Sequence, residues 1–231
     1  MKTVLITGAN KGIGYAIAQN LGLKGWHVLV GARNQARAEA AVNKLQKIGV
    51  AQVDFVLIDL SDPTTISAAI QTINKDFMAL DLLINNAGIP GGHGLSWEEE
   101  LNDLKATMQV NFFGTFQLTQ GLLPLLEGNH GRIVNITIPT GANPYWNPFA
   151  YKSTKAAQNV MMQAMAIDFE KENKQLETFS IHPGPTTTDL NGNMTAEGFH
   201  TPEDVAEKIT AILLDEQSHQ GAFLEIYGEL K

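Results

Sequence analysis

A tyrosine and a lysine four residues apart are the side chains in this sequence best suited to chemistry. Tyr151 and Lys155 fall at the start of an amphipathic stretch, residues 149–172, and side chains at i and i+4 share one helix face. A phenol, with an ordinary pKa of about 10, is a poor proton donor at neutral pH, and a nearby ammonium lowers that pKa. Tyr151 is therefore a candidate general acid or base that Lys155 tunes. The alternative is an aromatic residue and a lysine on an ordinary helix face.

A cluster of glycines near the start of the chain predicts a phosphate-binding turn. Residues 4–6 are a short apolar run, after which Gly8, Gly12 and Gly14 precede an amphipathic stretch. We expect Gly8 to take a positive φ, Gly12 to let a ligand approach the backbone, and Gly14 to bring the helix close to the strand. Free N–H groups at the helix start favour an anion. The G-x-x-x-G-x-G spacing is looser than the usual dinucleotide fingerprint, so a plain glycine-rich turn is the alternative.

Two cations near this turn favour a cofactor with a 2′-phosphate. An NAD site usually places an acidic residue about 20 positions after the glycine turn, where it holds the ribose 2′-hydroxyl. Here Arg33 stands in that neighbourhood and Lys11 lies inside the turn. A guanidinium can bind phosphate oxygens in a bidentate manner, so the pattern predicts NADP(H). The alternative is that both residues are solvated surface charges.

Two further strand ends carry candidate cofactor contacts. Asp59 follows the third predicted strand and could accept from an adenine amino group while Leu60 packs on the ring. Asp59 could equally begin the next helix turn. The fourth predicted strand is followed by small or amide residues that allow close backbone approach and offer hydrogen bonds: Asn86, Ala87 and Gly88.

Strand-like and helix-like segments alternate along the whole chain. Predicted strands are 4–7, 28–31, 53–58, 82–85, 133–136, 178–181 and 223–226, and predicted helices are 13–23, 35–48, 63–77, 97–110, 112–127, 149–172 and 202–215. Ser96 with Glu99 reads as a capping box, and Thr201 to Asp204 reads as a second helix start. Apolar strands in this alternation predict an α/β fold, a single doubly wound (Rossmann) parallel sheet of about seven strands with helices on both faces. We expect one domain, residues 1–231.

Composition excludes several classes of function. The chain has no cysteine, which excludes disulfides and thiol catalysis, and its six histidines lack the spacing of a metal site, so no metal is expected. A formal net charge of −8 with scattered basic residues argues against nucleic acid as a partner. No apolar run approaches the roughly 20 residues that span a membrane. No secretion signal is evident, so we expect a cytoplasmic protein.

In combination and order, these motifs resemble the short-chain dehydrogenase/reductase family along nearly the whole chain. The resemblance rests on the turn at 7–14, the run at 85–88, Asn111, Tyr151 with Lys155, and Pro183-Gly184 with Thr188. Asn10, Lys11, Arg33 and the run 188–192 look like the NADPH-dependent carbonyl reductases within it.

The resemblance implies roles for individual residues. Lys155 would also hold the nicotinamide ribose, and Asn111 would position a water in a proton relay. Backbone after the sixth strand would meet the nicotinamide carboxamide, and Thr188 would reach the carboxamide or a phosphate. The cofactor contacts that the motifs and the resemblance imply are Gly8, Asn10, Lys11, Gly12, Ile13, Gly14, Arg33, Asp59, Leu60, Asn86, Ala87, Gly88, Tyr151, Lys155, Pro183, Gly184, Thr186 and Thr188.

One position departs from the family pattern. The family places a serine thirteen residues before its tyrosine to hydrogen-bond the substrate carbonyl, and that position here is Ile138. Thr140 or water is expected to replace the missing donor. Loss of one such donor typically costs about 10²–10³ in rate. The Gly- and Asn-rich segment 189–200 would be a substrate lid, and candidate substrate contacts are Tyr145, Trp146, Met194 and Phe199.

The predicted activity is hydride transfer between NADP(H) and a carbonyl or alcohol, with Asn111, Tyr151, Lys155 and Thr140 in the catalytic set. The partner would be a small-molecule carbonyl substrate. The resemblance implies a homodimer or homotetramer, as is common in the family, with a monomer, as in some carbonyl reductases, as the alternative. The alternative is a catalytically impaired NADP(H)-binding sensor or scaffold, which Ile138 motivates.

Overall fold

A computed structural model describes residues 1–77, 79–141, 143 and 146–227 of the chain. The described residues contain one parallel sheet with the strand order β3-β2-β1-β4-β5-β6-β7. Its strands are β1 Thr3–Thr7, β2 His27–Ala32, β3 Val53–Leu57, β4 Leu82–Asn85, β5 Arg132–Ile136, β6 Glu177–His182 and β7 Phe223–Glu225. The predicted doubly wound sheet is confirmed. Strands β1 to β3 are added toward one edge of the sheet, and β4 to β7 are added toward the other. In such folds ligands bind at the point where this order reverses, between β1 and β4.

Helices cover both faces because the sheet is apolar on both. The helices are α1 Gly12–Leu23, α2 Gln35–Lys47, α3 Pro63–Asp76, α4 Leu101–Met108, α5 Thr115–Gly128, α6 Phe149–Lys171 and α7 Pro202–Leu213. One core packs α1, α2 and α7 on residues such as Val4 and Ile6. The other packs α3, α5 and the end of α6 on Leu5 and Leu83. Alternating strand residues thus face opposite cores.

The predicted start of the helix after β4 is wrong. Ser96 and Glu99 do not form a capping box, and α4 begins at Leu101 without a side-chain cap. The Glu99 carboxylate instead lies against the backbone of Gly92, where an added Cβ would be 3.0 Å from Oε2. In contrast, Thr201 caps α7 as predicted, because its Oγ1 accepts from the N–H of Asp204 at 3.1 Å.

The predicted break between two helices near residue 111 is also absent. A π-helical segment, Gln109–Gly114, joins α4 to α5 without interruption. Gly114 there faces the carbonyl of Leu60, and an added Cβ would be only 2.2 Å from that oxygen. A π-helical turn inside a longer helix is frequent at functional sites. Among the described residues, no helix combines the length and hydrophobicity needed to cross a membrane.

Candidate active site

A cleft of about 500 Å³ lies beyond the carboxyl ends of β1 to β4. It gathers most of the predicted cofactor contacts, which are Gly8, Asn10, Lys11, Gly12, Ile13, Arg33, Asp59, Leu60, Asn86, Ala87, Gly88, Tyr151 and Thr188. The predicted residues outside its lining are Gly14, Lys155, Pro183, Gly184 and Thr186. The first group comes from the segments after β1, β2, β3, β4 and β6 and from the start of α6, so the topology alone brings these residues to one edge of the sheet.

The three glycines of the first turn have three different geometries. Gly8 has a φ of +68° and Gly12 a φ of +57°, which L side chains rarely adopt. A Cβ on Gly14 would be 2.5 Å from Asn86 Nδ2, so α1 packs directly on the loop after β4. A Cβ on Gly12 would meet only Thr188, at 3.8 Å or more, because Gly12 opens onto the cleft. The open backbone at a helix start fits a phosphate group.

Thr7 and Asn86 lock the two central strand ends together. Thr7 Oγ1 accepts from the N–H groups of Asn86 and Ala87, each at 3.0 Å. Asn86 Nδ2 donates in return to the Thr7 carbonyl at 2.9 Å. These hydrogen bonds hold the floor of the cleft together, and the Asn86 side chain bonds to the main chain of β1. Thr7 opens the turn at 7–14, but nothing in the sequence indicates these hydrogen bonds, because a threonine at a strand end carries no distinctive signal.

One end of the cleft is basic. Arg33, Arg37 and Lys11 line it, and the first two are exposed side chains that flank the start of α2. Arg37 is not among the residues predicted from the sequence, although its place in the first turn of the helix after β2 could have indicated it. Lys11 Nζ pairs with Asp189 at 2.6 Å. The pKa of the Asp189 carboxyl is held below its usual range by this hydrogen bond, by a second one from Asn193 and by the positive charges of Lys11 and Arg37.

Asp59 lines the cleft and also forms a local turn with Ser61. Its Oδ1 accepts from the N–H of Ser61 at 2.9 Å and from the Ser61 hydroxyl at 2.6 Å. The N-cap of the following helix is instead Asp62, whose side chain accepts from the N–H of Thr64 at 2.8 Å. The turn formed by Asp59 fixes its carboxylate at the rim of the cleft.

Tyr151 and Lys155 lie on the same face of α6 but differ in their access to the cleft. Tyr151 lines it and touches Trp146 edge-on, with ring centroids 5.7 Å apart. Lys155 is 1% exposed, and its Nζ donates to the Ile136 carbonyl at 2.8 Å and to Gln158 Oε1 at 3.0 Å. The Nζ lies 5.6 Å from the centroid of the Tyr151 ring.

These positions overturn the expected pKa of the tyrosine in the cofactor-free protein. Burial raises the pKa of Tyr151 above its usual value and lowers the pKa of Lys155 to about 7. Desolvation wins because the lysine points at two neutral oxygens and is only partly charged near neutral pH. The predicted lowering of the Tyr151 pKa therefore requires a change in the surroundings of both groups.

Asn111 lies inside the π-helical segment and clamps the loop after β4. Its Oδ1 accepts from the N–H of Ile89 at 2.8 Å, and its Nδ2 donates to the Ile89 carbonyl at 2.9 Å and to Thr154 Oγ1 at 3.1 Å. A Cβ on Gly88 would be 3.2 Å from Asn111 Oδ1, so the small residue permits this clamp. The side chain of Asn111 is thus structural here, and its relay role stays a prediction.

The segment after β6 folds back on itself and on the end of the chain. Gly184, with a φ of +80°, packs on Tyr227, and Thr186 Oγ1 donates to the Gly184 carbonyl at 3.0 Å. The predicted lid contains a 3-10 helix, Asp189–Asn191. The N–H of Thr187 donates to the His200 carbonyl at 3.0 Å, which ties the two ends of the lid together.

A buried isoleucine stands where the family pattern has its serine. Ile138 is 8% exposed, and its carbonyl accepts from Asn159 Nδ2 at 3.1 Å. Thr140 is exposed and lies outside the lining of the cleft, so its role as a replacement donor stays a prediction. Trp146 and Met194 are exposed, whereas Tyr145 lies outside the described residues. No cluster of three or more acidic or histidine side chains in the described part of the chain could hold a metal ion.

The sequence profile of the short chain dehydrogenase family matches residues 2–198, so the chain belongs to that family. A short-chain dehydrogenase named anuI from Penicillium roqueforti is 32% identical, over 98% of this chain and 92% of that protein. Carbonyl reductase [NADPH] 3 of Mus musculus is 38% identical, over 59% of this chain and 48% of its own length. An NADPH-bound carbonyl reductase from chicken fatty liver superposes with a TM-score of 0.86, at 25% identity over 100% of this chain and 98% of that one.

Proposed function

We propose that this protein is an NADP(H)-dependent carbonyl reductase, which transfers a hydride between NADP(H) and a small-molecule carbonyl or alcohol. One observation carries the proposal: Tyr151 lines the same cleft as the glycine turn and the basic end. The open backbone at Gly12 fits the pyrophosphate, and Arg33, Arg37 and Lys11 fit a 2′-phosphate. The carbonyl reductases among the similar proteins support the choice of substrate class.

The reaction assigns distinct tasks to the cofactor and to the chain. Bound NADPH supplies the hydride. Tyr151 donates its phenolic proton to the carbonyl oxygen, or accepts a proton in the reverse direction. Lys155 stabilises the resulting phenolate from within a buried site, where an ammonium acts more strongly than in water. Trp146 covers the edge of the Tyr151 ring and helps to exclude water from the proton transfer.

The test is the consumption of NADPH and NADH at 340 nm against a panel of ketones, aldehydes and quinones. We expect turnover that prefers NADPH. NADPH that binds without turnover of any member of the panel would contradict the proposal. That result would favour the alternative, an NADP(H)-binding sensor or scaffold, for which the apolar Ile138 is the supporting observation.

Replacing Ile138 with serine should raise kcat about tenfold. Family members place a hydroxyl donor at this position, and one such donor is worth about 10²–10³ in rate when it is fully preorganised. A smaller gain is expected because Ile138 is buried, at 8% exposure, and the smaller serine leaves part of its volume unfilled. Ile138→Ala is the matched control, since it makes the same cavity without the hydroxyl. Equal rates for the two variants would show that Thr140 or water already serves as the donor.

Removing the basic end should weaken the binding of NADPH selectively. Arg33→Ala and Arg37→Ala should each raise the Kd for NADPH about tenfold and leave the Kd for NADH within about twofold, because only NADPH has the 2′-phosphate. Titration calorimetry with both cofactors measures the effect. Lys24→Ala, which removes an exposed cation at the far end of α1, is the control. Equal losses for both cofactors would refute the assignment of the 2′-phosphate.

We also propose that copies of the chain assemble through an exposed apolar surface. Large apolar side chains on the outer faces of the π-helical segment, α5 and α6 stand exposed, namely Phe113, Phe116, Phe149, Val160 and Ile167. They suit a contact between copies of the chain in a homodimer or homotetramer. A cytoplasmic location is part of the same proposal.

A further inference from the structure

We propose that Gln158 is a positioning residue that ties the Lys155 ammonium to the main-chain carbonyl of Asn111 and sets its charge state. As a role in catalysis, this inference rests on the proposed function. Gln158 is not among the residues predicted from the sequence, because a glutamine on an amphipathic helix carries no motif. The structure places it fully buried, at 0% exposure, one turn beyond Lys155 on α6.

The amide of Gln158 joins the two segments that carry the predicted catalytic set. Its Nε2 donates to the main-chain carbonyl of Asn111 in the π-helical segment, and its Oε1 accepts from Lys155 Nζ at 3.0 Å. An amide is suited to this place because it donates at one end and accepts at the other. A carboxylate lacks the donor for the carbonyl, and an apolar side chain lacks both.

The bridge also fixes the direction of the lysine. Nζ has three protons, of which one goes to Gln158 and one to the Ile136 carbonyl at 2.8 Å. The two acceptors come from α6 and the end of β5, and they hold Nζ against one side of the Tyr151 ring. A buried ammonium with two fixed acceptors has little freedom to turn away.

The charges around Lys155 are few. The ion pairs of the described residues do not include it. The titratable neighbours one turn before it on α6 are Tyr151 and Lys152, whose Nζ donates to the Gly141 carbonyl. His182 on β6 directs Nδ1 at the Thr137 carbonyl, 3.4 Å away. Nearby neutral oxygens compensate burial only in part, so the lysine titrates close to neutrality rather than at its ordinary value.

The link changes the expected role of Asn111. Family resemblance implies a water relay through this residue, but an amide side chain stands between the Asn111 carbonyl and the Lys155 ammonium. An amide accepts and donates hydrogen bonds without passing a proton at neutral pH. The connection from Asn111 to Lys155 is therefore a mechanical support, and protons reach Tyr151 from the open cleft.

The experiment follows the titration of Lys155 directly. Protein labelled with 13C-lysine is titrated by NMR, and the Lys155 Cε signal is assigned by its loss in Lys155→Met. Gln158→Glu should raise the midpoint by about one unit or more, because a carboxylate then faces the ammonium within hydrogen-bond distance. Gln158→Met, which keeps the length and removes both polar atoms, should lower it. An unmoved midpoint in a folded variant of either kind would overturn the inference.

A control and an activity measurement separate this inference from the proposed function. Thr119→Val removes a buried hydrogen bond with Asn85, of 3.0 Å, and should leave the Lys155 midpoint unchanged. In turnover, Gln158→Met should lower kcat about tenfold with little change in KM, and Gln158→Glu should move the alkaline limb of the pH profile upward. If the NMR midpoints shift but no carbonyl is reduced, the proposed function fails while the assignment of Gln158 stands.

Discussion

Tyr151→Phe is expected to lower kcat by about three orders of magnitude and to leave the Kd for NADPH within about twofold. Among the described residues that line the cleft, Tyr151 is the one that carries a phenol, the group that the proposed reaction uses as its proton donor. Phenylalanine fills the same volume and keeps the edge contact with Trp146, so the site retains its shape. The loss should therefore fall on proton transfer and spare the binding of the cofactor.

Stopped-flow measurement of NADPH oxidation with the best substrate of the panel gives the size of the loss. Tyr15→Phe is the matched control, since Tyr15 lies on α1, packs on the core beneath α1, α2 and α7, and lies outside the lining of the cleft. It should leave kcat unchanged. Retention of more than about a tenth of the activity by Tyr151→Phe would assign the proton to another donor.

Local chemistry made the strands and several helix starts predictable. Short β-branched runs predicted the strands, and the run from Thr201 to Asp204 predicted α7 because a cap, a first-turn proline and an acidic residue agree. The glycine turn was equally readable, since positive φ and close approach leave few residue types to choose from. The caps and the positive φ values are decided within a few residues of chain, whereas the close approach of Gly14 to Asn86 is a tertiary contact that the glycine permits.

Tertiary contacts decided the features that the sequence did not predict. Glu99 carries the pattern of a capping box, but its carboxylate packs on the backbone of Gly92, seven residues earlier in the same loop. The π-helical segment depends on the fit of Gly114 against Leu60, and the roles of Arg37 and Gln158 depend on which elements lie beside their helices. The direction of Lys155 has the same origin, because its acceptors lie on β5 and one turn along α6. The residues next to each of these positions in the chain do not indicate such contacts.

Between pH 7 and 10, the free energy of unfolding should rise with pH through Lys155. In the unfolded chain this lysine keeps its ordinary pKa of 10.5, whereas burial lowers the pKa to about 7 in the folded protein. The unfolded state therefore binds more protons in this window, and stability increases as pH rises. The slope from one such group approaches about 1.4 kcal/mol per pH unit. Below pH 7 the lysine is charged in both states, and its penalty is constant.

The direction reverses at higher pH because of Tyr151. Burial raises the pKa of its phenol above the ordinary value of 10.0, so above that pH the folded state retains a proton that the unfolded state has lost. Stability from this group then falls as pH rises. The chain has no cysteine, which removes the thiol that would otherwise titrate in the same range.

Urea unfolding of the wild type and Lys155→Met at pH 7.5, 8.25 and 9 isolates the effect. Contributions from the amino terminus and surface groups are common to both proteins, so the difference between the two slopes belongs to Lys155. We expect the slope of the variant to be smaller by about 1 kcal/mol per pH unit. Parallel curves would mean that Lys155 stays charged in the folded protein throughout. The Gln158 and Ile136 oxygens would then compensate its burial in full, and the lysine could lower the pKa of Tyr151 even before the cofactor binds.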